Sequence, residues 1–174
     1  MRSIDPIAKL DLAFSLFCLQ HRFSHPVSKL SKAISHTGDG HLYILLGVLA
    51  WLLDGERGLL FLLVGLLAFS IELPIYWAAK NLIKRRRPEE LSDLVTSFVT
   101  PSDRYSLPSG HTAAAFLMAT LTSYFYPSLE TFTFVWAILI GASRILLGVH
   151  FLTDVVLGAF LGIGCARLAL TLLA

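Results

Sequence analysis

Three polar stretches interrupt an otherwise apolar chain, and each is built from residues that can handle an anion. Lys80, Lys84, Arg85, Arg86 and Arg87 close a long apolar run and are followed by Pro88. Leu107-Pro108-Ser109-Gly110-His111-Thr112 opens the next run, and residues 143–154 carry Ser143, Arg144, His150 and Asp154. A seven-residue step returns to nearly the same helical azimuth, so a helix continued to Arg87 would set Lys80, Lys84 and Arg87 in one cationic stripe, which Pro88 then ends. Ser109 suits a helix N-cap, and the free N–H groups of Gly110, His111 and Thr112 at a positive helix end make an anion site. His150 and Asp154 stand at i and i+4, so the carboxylate can hold one imidazole nitrogen and leave the other basic.

Taken singly, each stretch has a plainer explanation. A basic run at a helix end is ordinarily a membrane anchor, a Pro-Ser-Gly start is a cap, and a His beside an Asp is a structural pair. Together, two imidazoles, a carboxylate, cations and helix-terminal amides supply what in-line phosphoryl transfer needs: a nucleophile, a proton donor for the leaving group and charge neutralisation.

The elements that must position these groups are membrane helices. The 174 residues are 55% hydrophobic and only 15% charged, with a mean hydropathy of +0.69, which excludes an ordinary soluble domain. Apolar segments fall at 41–53, 59–79, 111–126, 131–148 and 152–173, the first two joined by the hairpin residues Asp54 to Gly58. This predicts an all-α, polytopic helical bundle forming one membrane-embedded domain over 1–174. It has five spans, or six if residues 6–20 also cross; Lys9, Asp11 and Ser15 interrupt that segment. Parity puts the 80–110 loop and the 144–154 junction on one face of the bilayer. Residues 21–40 are polar and basic, a surface segment with a short amphipathic helix at 27–35. No signal peptide is expected, because Lys9 and Asp11 break any early apolar core. Cys18 and Cys165 are isolated and read as small apolar residues.

With Lys80-x6-Arg87-Pro88, then Pro108-Ser109-Gly110-His111, then Ser143-Arg144-x5-His150-x3-Asp154, the chain resembles the type 2 phosphatidic acid phosphatase superfamily. The order matches, every signature position over 80–154 is filled, and the preceding Ser35-His-Thr-Gly-Asp-Gly40 is similar to bacterial members. The resemblance implies a six-helix membrane phosphatase that needs no metal or other cofactor. It implies that His150 attacks phosphorus with Asp154 orienting it, and that His111 protonates the leaving oxygen and then activates water. Lys80, Arg87, Arg144, the Ser109 hydroxyl and the Gly110 amide would hold the phosphate, with Ser143 in support. Lys84, Arg85 and Arg86 lie outside the signature and become candidates for head-group contacts or surface anchoring.

The implied partners are the bilayer and a lipid phosphate, not nucleic acid. Lipid A 1-phosphate, phosphatidylglycerophosphate, undecaprenyl diphosphate and phosphatidic acid all qualify, with the extra cations at 84–86 and in 21–40 favouring a bulky polyanionic head. A non-catalytic protein that binds or transports anionic lipid remains the alternative; it would need the cations but neither His111 nor the His150–Asp154 pair. With six spans the active face would carry ten Lys and Arg against four opposite, which argues for a cytoplasmic site. Lys80, Arg87 and Arg144 belong to the phosphate site, however, and bacterial members of the family usually face outward. The expectation is therefore a bacterial inner membrane protein with its site toward the periplasm. Glu72, ahead of Pro74, could tune the site or bond a neighbouring helix around the proline break, and the structural role is the one expected. His36, Asp39 and His41 could hold a cation, but a Gly-Asp-Gly turn capping the next helix explains Asp39 more simply. The aromatic residues Trp51, Trp77, Trp136, Tyr43, Tyr76, Tyr124 and Tyr126 are expected as interfacial anchors.

Overall fold

The computed structural model describes residues 6–20, 24–101 and 103–173; Arg2 and Arg22, counted above for sidedness, lie outside them. Among the described residues seven α-helices follow in order: α1 Pro6–Leu19, α2 Ser24–His36, α3 Gly40–Ile83, α4 Pro88–Leu91, α5 Gly110–Phe125, α6 Glu130–Leu146 and α7 Leu152–Leu173. The runs Gly40–Leu91, Pro127–Leu146 and Leu152–Leu173 are long and apolar enough to cross a membrane. The first is bent at Asp54 and Gly55, whose φ of +55° suits a residue without a side chain. A Cβ on Gly58 would lie 1.9 Å from the Ala50 carbonyl oxygen, so the two arms of α3 leave the bend in close contact. Arg57 pins the bend by donating to Asp54 at 2.6 Å. The hairpin expected at 54–58 is thus present, and the second arm runs on through Pro74 to Ile83.

Helix α5 is the centre, packed against α7, α6 and α3. Its Leu117 and Leu121 are fully buried against Val64 and Ala68 of α3 and Ala166 and Ala169 of α7. Apolar side chains gain little by leaving lipid for protein, so close backbone packing through small residues holds such helices together. Gly158 and Gly162 of α7 meet α5 directly: a Cβ would fall 2.6 Å from the Ser109 carbonyl at the first and 2.0 Å from that of Ala113 at the second. The face Asp154-Gly158-Gly162 therefore locks α7 to the helix bearing His111. Large apolar side chains such as Leu53, Leu82, Trp77 and Phe160 point outward, as a lipid-facing surface requires.

Helix α1, with 14 residues, is shorter than the roughly 20 that a span needs. It lies against α4, α6 and α7, with Asp11, Ser15 and Leu19 buried in a single stripe, and Asp11 reaches Arg85 and Thr153. Two of its polar interruptions, Asp11 and Ser15, face inward while Lys9 stays exposed, so α1 rests on the end of the bundle that holds the polar motifs. The expected surface segment likewise packs inward: α2 lies on α6 with Ser28, Ser31 and Ser35 buried. Of the proposed anchors, Trp51, Trp77 and Tyr124 are exposed, whereas Tyr43 is core and Trp136 donates to Thr37 at 3.0 Å.

Replacing Gly162 by Ala should lower stability by about 3 kcal/mol, since the new methyl meets backbone that cannot move aside. The same change at Gly164, where nothing lies within 4 Å, should stay within about 0.5 kcal/mol. Thermal unfolding in detergent micelles measures both.

Candidate active site

The cationic stripe predicted on one helix does not form. Helix α3 stops at Ile83, Lys84 closes it at φ +51°, and Arg87 sits at φ −79°, ψ 161°, the extended conformation that the ring of Pro88 imposes on its predecessor. Arg85 and Arg87 turn inward while Lys84 and Arg86 stay exposed, the in-out alternation of an extended chain. Lys80 and Arg87 still meet, because the chain turns back onto the bundle.

Arg85 has a different role from the head-group contact expected of it. It donates to Asp154 Oδ1 at 2.6 Å, to Asp11 Oδ2 at 2.6 Å and to the Thr153 hydroxyl at 2.5 Å, and it lies 4.4 Å above the Phe151 ring. Thr153 also donates its hydroxyl proton to Asp11. Asp154 is fully buried, and its second oxygen accepts the Phe151 N–H at 2.8 Å. That oxygen lies 3.6 Å from His150 Nδ1, which has no hydrogen-bond partner among the described residues. Burial pushes the His150 imidazole down to about 4, against the opposing pull of Asp154. The ring is therefore neutral at pH 7, with Nε2 free to act as a base or nucleophile.

Lys80 and Arg87 converge on an acid the sequence did not single out. Asp103 accepts from both at 2.6 Å and from the Tyr76 hydroxyl at 2.7 Å. Burial raises its carboxyl, but the Lys80 and Tyr76 hydrogen bonds more than offset this and hold it below the usual range. Arg87 also donates to the Val149 carbonyl at 2.6 Å and to the Asp103 and Tyr105 carbonyls; Lys80 donates to Tyr105 O at 2.6 Å. These two cations thus fix the loop 103–105 and the residue preceding His150. Tyr76, expected as an anchor, belongs to this cluster.

The third group assembles at the start of α5. Ser109 is fully buried, accepts from the Thr112 hydroxyl at 2.9 Å, and is tied to α7 by its N–H on the Asp154 carbonyl at 3.0 Å. The first N–H groups of α5 have no acceptor within the helix. His111 Nε2 lies 3.1 Å from Asp39, and Arg144 of α6 donates to Ser35 at 2.6 Å with its Nε unpartnered among the described residues. Two cavities meet at His111. One, of about 580 Å³, has His111, His150, Gly110, Tyr76 and Asp103 at one end and Ile44, Leu66, Phe69 and Leu73 along its wall. The other, of about 400 Å³, is lined by Lys32, Ser35, His36, Asp39 and Arg144. Glu72, buried, lies in the wall of the larger cavity.

Asp39 does not cap α3. It occupies the N-cap position without a side-chain cap hydrogen bond, and its oxygens face His111 and His36 instead. His36, Asp39 and His41 offer ligand atoms within 4.8 Å of one another. The sequence left some signal for the overlooked acids: five clustered cations require anions nearby, and Asp11 and Asp103 are among the acids in an apolar chain.

A family model described as the PAP2 superfamily matches residues 58–174. The chain is 33% identical over 133 residues to the decaprenylphosphoryl-5-phosphoribose phosphatase of Mycolicibacterium smegmatis, covering 74% of this chain and 69% of that protein. It is 30% identical over 141 residues to a probable lipid phosphate phosphatase beta of Arabidopsis thaliana, covering 65% and 66%. Among solved structures, Aquifex aeolicus LpxE superposes with a TM-score of 0.81 at 28% identity over 93% of this chain and 95% of that one. A transmembrane PAP2-type phosphatidylglycerolphosphate phosphatase of Bacillus subtilis superposes at 0.76, with 26% identity over 98% and 87%.

Arg85→Ala should cost about 3 kcal/mol or more, because it strands two buried carboxylates without their cation. Arg86→Ala, at an exposed position, should stay within about 0.5 kcal/mol. Denaturant unfolding in micelles separates the two.

Proposed function

The chain belongs to the PAP2 superfamily, and from that premise we propose that it is a membrane lipid phosphatase working through a phosphohistidine. The observation that carries this reading is the larger cavity, where two imidazoles and the first amides of α5 end a groove walled by Ile44, Leu66, Phe69 and Leu73. Such a groove holds an acyl or prenyl chain while the phosphate meets the imidazoles.

In the proposed reaction, His150 Nε2 attacks phosphorus, forming an N–P bond as the ester P–O bond breaks, and the departing oxygen takes a proton from His111. Water then gives a proton to His111 and attacks phosphorus, the N–P bond breaks, and inorganic phosphate leaves. Asp154 keeps His150 oriented and stabilises the positive charge the ring acquires. Gly110 N–H, Arg144 and the cations Lys80 and Arg87 neutralise the phosphate oxygens. Asp103 and Ser109 support this set: the first fixes Lys80 and Arg87, and the second ties the start of α5 to Asp154. No metal takes part in this scheme.

Lipid A 1-phosphate, phosphatidylglycerophosphate, undecaprenyl diphosphate and phosphatidic acid remain the substrate set. Arg85 is bonded behind Asp154 and no longer argues for a polyanionic head, while the exposed Lys84 and Arg86 stay available to one. The cavity lined by Lys32, His36 and Arg144 adds room for a larger head group. We place the protein in a bacterial inner membrane with this site toward the periplasm. Arg85 joins Lys80, Arg87 and Arg144 among the cations held by the site, which weakens their value as cytoplasmic retention signals.

Purified protein given a panel of these lipids in excess chelator should release phosphate. His150→Ala and His111→Ala should each lose about 10³-fold or more in kcat while still binding lipid. Phosphate release that survives His150→Ala rejects the mechanism, and binding without release in the wild type favours a transport or binding role. With five crossings starting at Gly40 on the site's face, the C-terminus lies opposite the site. A reporter fused there should be active only in the cytoplasm, and activity in the periplasm would reverse the orientation.

A further inference from the structure

Asp39 stands outside the three motifs and does not cap α3. Its carboxylate is held between two imidazoles from different parts of the chain. Oδ1 lies 3.1 Å from Nε2 of His111, and Oδ2 lies 2.5 Å from Nδ1 of His36. His36, at the end of α2, thereby fixes the plane of the carboxylate, and the turn Thr37-Gly38 is closed by backbone hydrogen bonds onto Ile34 and Ser35 at 3.1 and 3.0 Å. The turn lies against α6, where Gly38 approaches the Ile140 side chain so closely that a Cβ would be 3.1 Å from it.

We propose that Asp39 is the positioning residue for His111, giving the second histidine a carboxylate partner of its own as Asp154 serves the first. The proposal rests on the reading of His111 as the proton donor to the leaving oxygen. By accepting the Nε2–H, Asp39 selects the ring nitrogen that stays with the protein and leaves Nδ1 to exchange the proton with the substrate. It also sets the ring's direction and balances the imidazolium charge in a cavity that already holds Lys32 and Arg144. The groups around His111 come from several elements: Asp39 and His36 from the α2–α3 turn and α2, Arg144 from α6, Asp103 from the preceding loop and His150 from the α6–α7 link. Of these, Asp39 is the carboxylate within hydrogen-bond distance of the ring.

Asp39→Asn and Asp39→Glu in the full chain test this with two substrates. A lipid phosphomonoester such as phosphatidic acid expels an alkoxide that needs the proton from His111, whereas p-nitrophenyl phosphate expels a phenolate that does not. Asp39→Asn should lower kcat/KM for the lipid about 10- to 100-fold, change its KM less than about 3-fold, and change kcat/KM for the aryl ester less than about 3-fold. Asp39→Glu should recover part of the lipid activity. Equal loss on both substrates, or no loss on the lipid, overturns the proposal. His150→Ala run alongside abolishes turnover of both substrates if the phosphatase reading holds, so a failure of that reading shows separately. Should Asp39→Asn not fold, ¹⁵N-histidine NMR of the wild-type chain, with His111 assigned from His111→Gln, decides the matter. An Nε2-protonated neutral ring supports the proposal, and an Nδ1-protonated one overturns it.

Discussion

The polar end of this bundle is organised around one buried carboxylate. Asp154 is shielded from solvent by the protein, and a bare charge there would cost several kcal/mol. It is tolerated because Arg85 and the Phe151 N–H occupy its two oxygens, while His150 stands beside it. Each of those contacts in turn fixes a segment. Arg85 brings the chain leaving α3 across to α7 and draws α1 in through Asp11. Ser109 donates its N–H to the Asp154 carbonyl, which brings the start of α5 against the start of α7. A single need to neutralise one acid therefore brings four helices to the same point.

The cations around it are balanced in the same way. Lys80 and Arg87 share Asp103, and His111 lies beside Asp39 in the cavity that holds Arg144. Positive charge crowded into a half-buried site would repel itself, and acids from separate loops reduce that repulsion while fixing where each cation points. Lys80, Arg85 and Arg87 are thereby left with few free rotamers, each pointed by the acid it meets.

Beneath this layer the bundle is held by contact rather than by charge. Gly158 and Gly162 let α7 lie directly on α5, so His111 at the head of one helix and His150 just before the other are set at a fixed spacing. The packing that stabilises the fold in lipid also aligns the two imidazoles, and a small shift between these helices would separate them.

Much of this was legible in the chain itself. Apolar run lengths gave the membrane bundle and the hairpin at Asp54, because a helix must satisfy its own backbone in lipid. Residue types at fixed spacings, and the resemblance they carry, marked His111, His150, Asp154, Lys80, Arg87 and Arg144 as candidates, although the helical stripe expected of Lys80 and Arg87 did not form. The counter-charges were not legible. Asp11 lies 74 residues from Arg85, Asp103 lies 23 from Lys80, and Asp39 lies 72 from His111, and no local pattern links such distant positions. Whether Arg85 faces a lipid head or a buried carboxylate depended on where α3 stops, one turn earlier than helical spacing suggested. Pro88 holds Arg87 extended, and the tertiary structure then decided which cation each acid would meet.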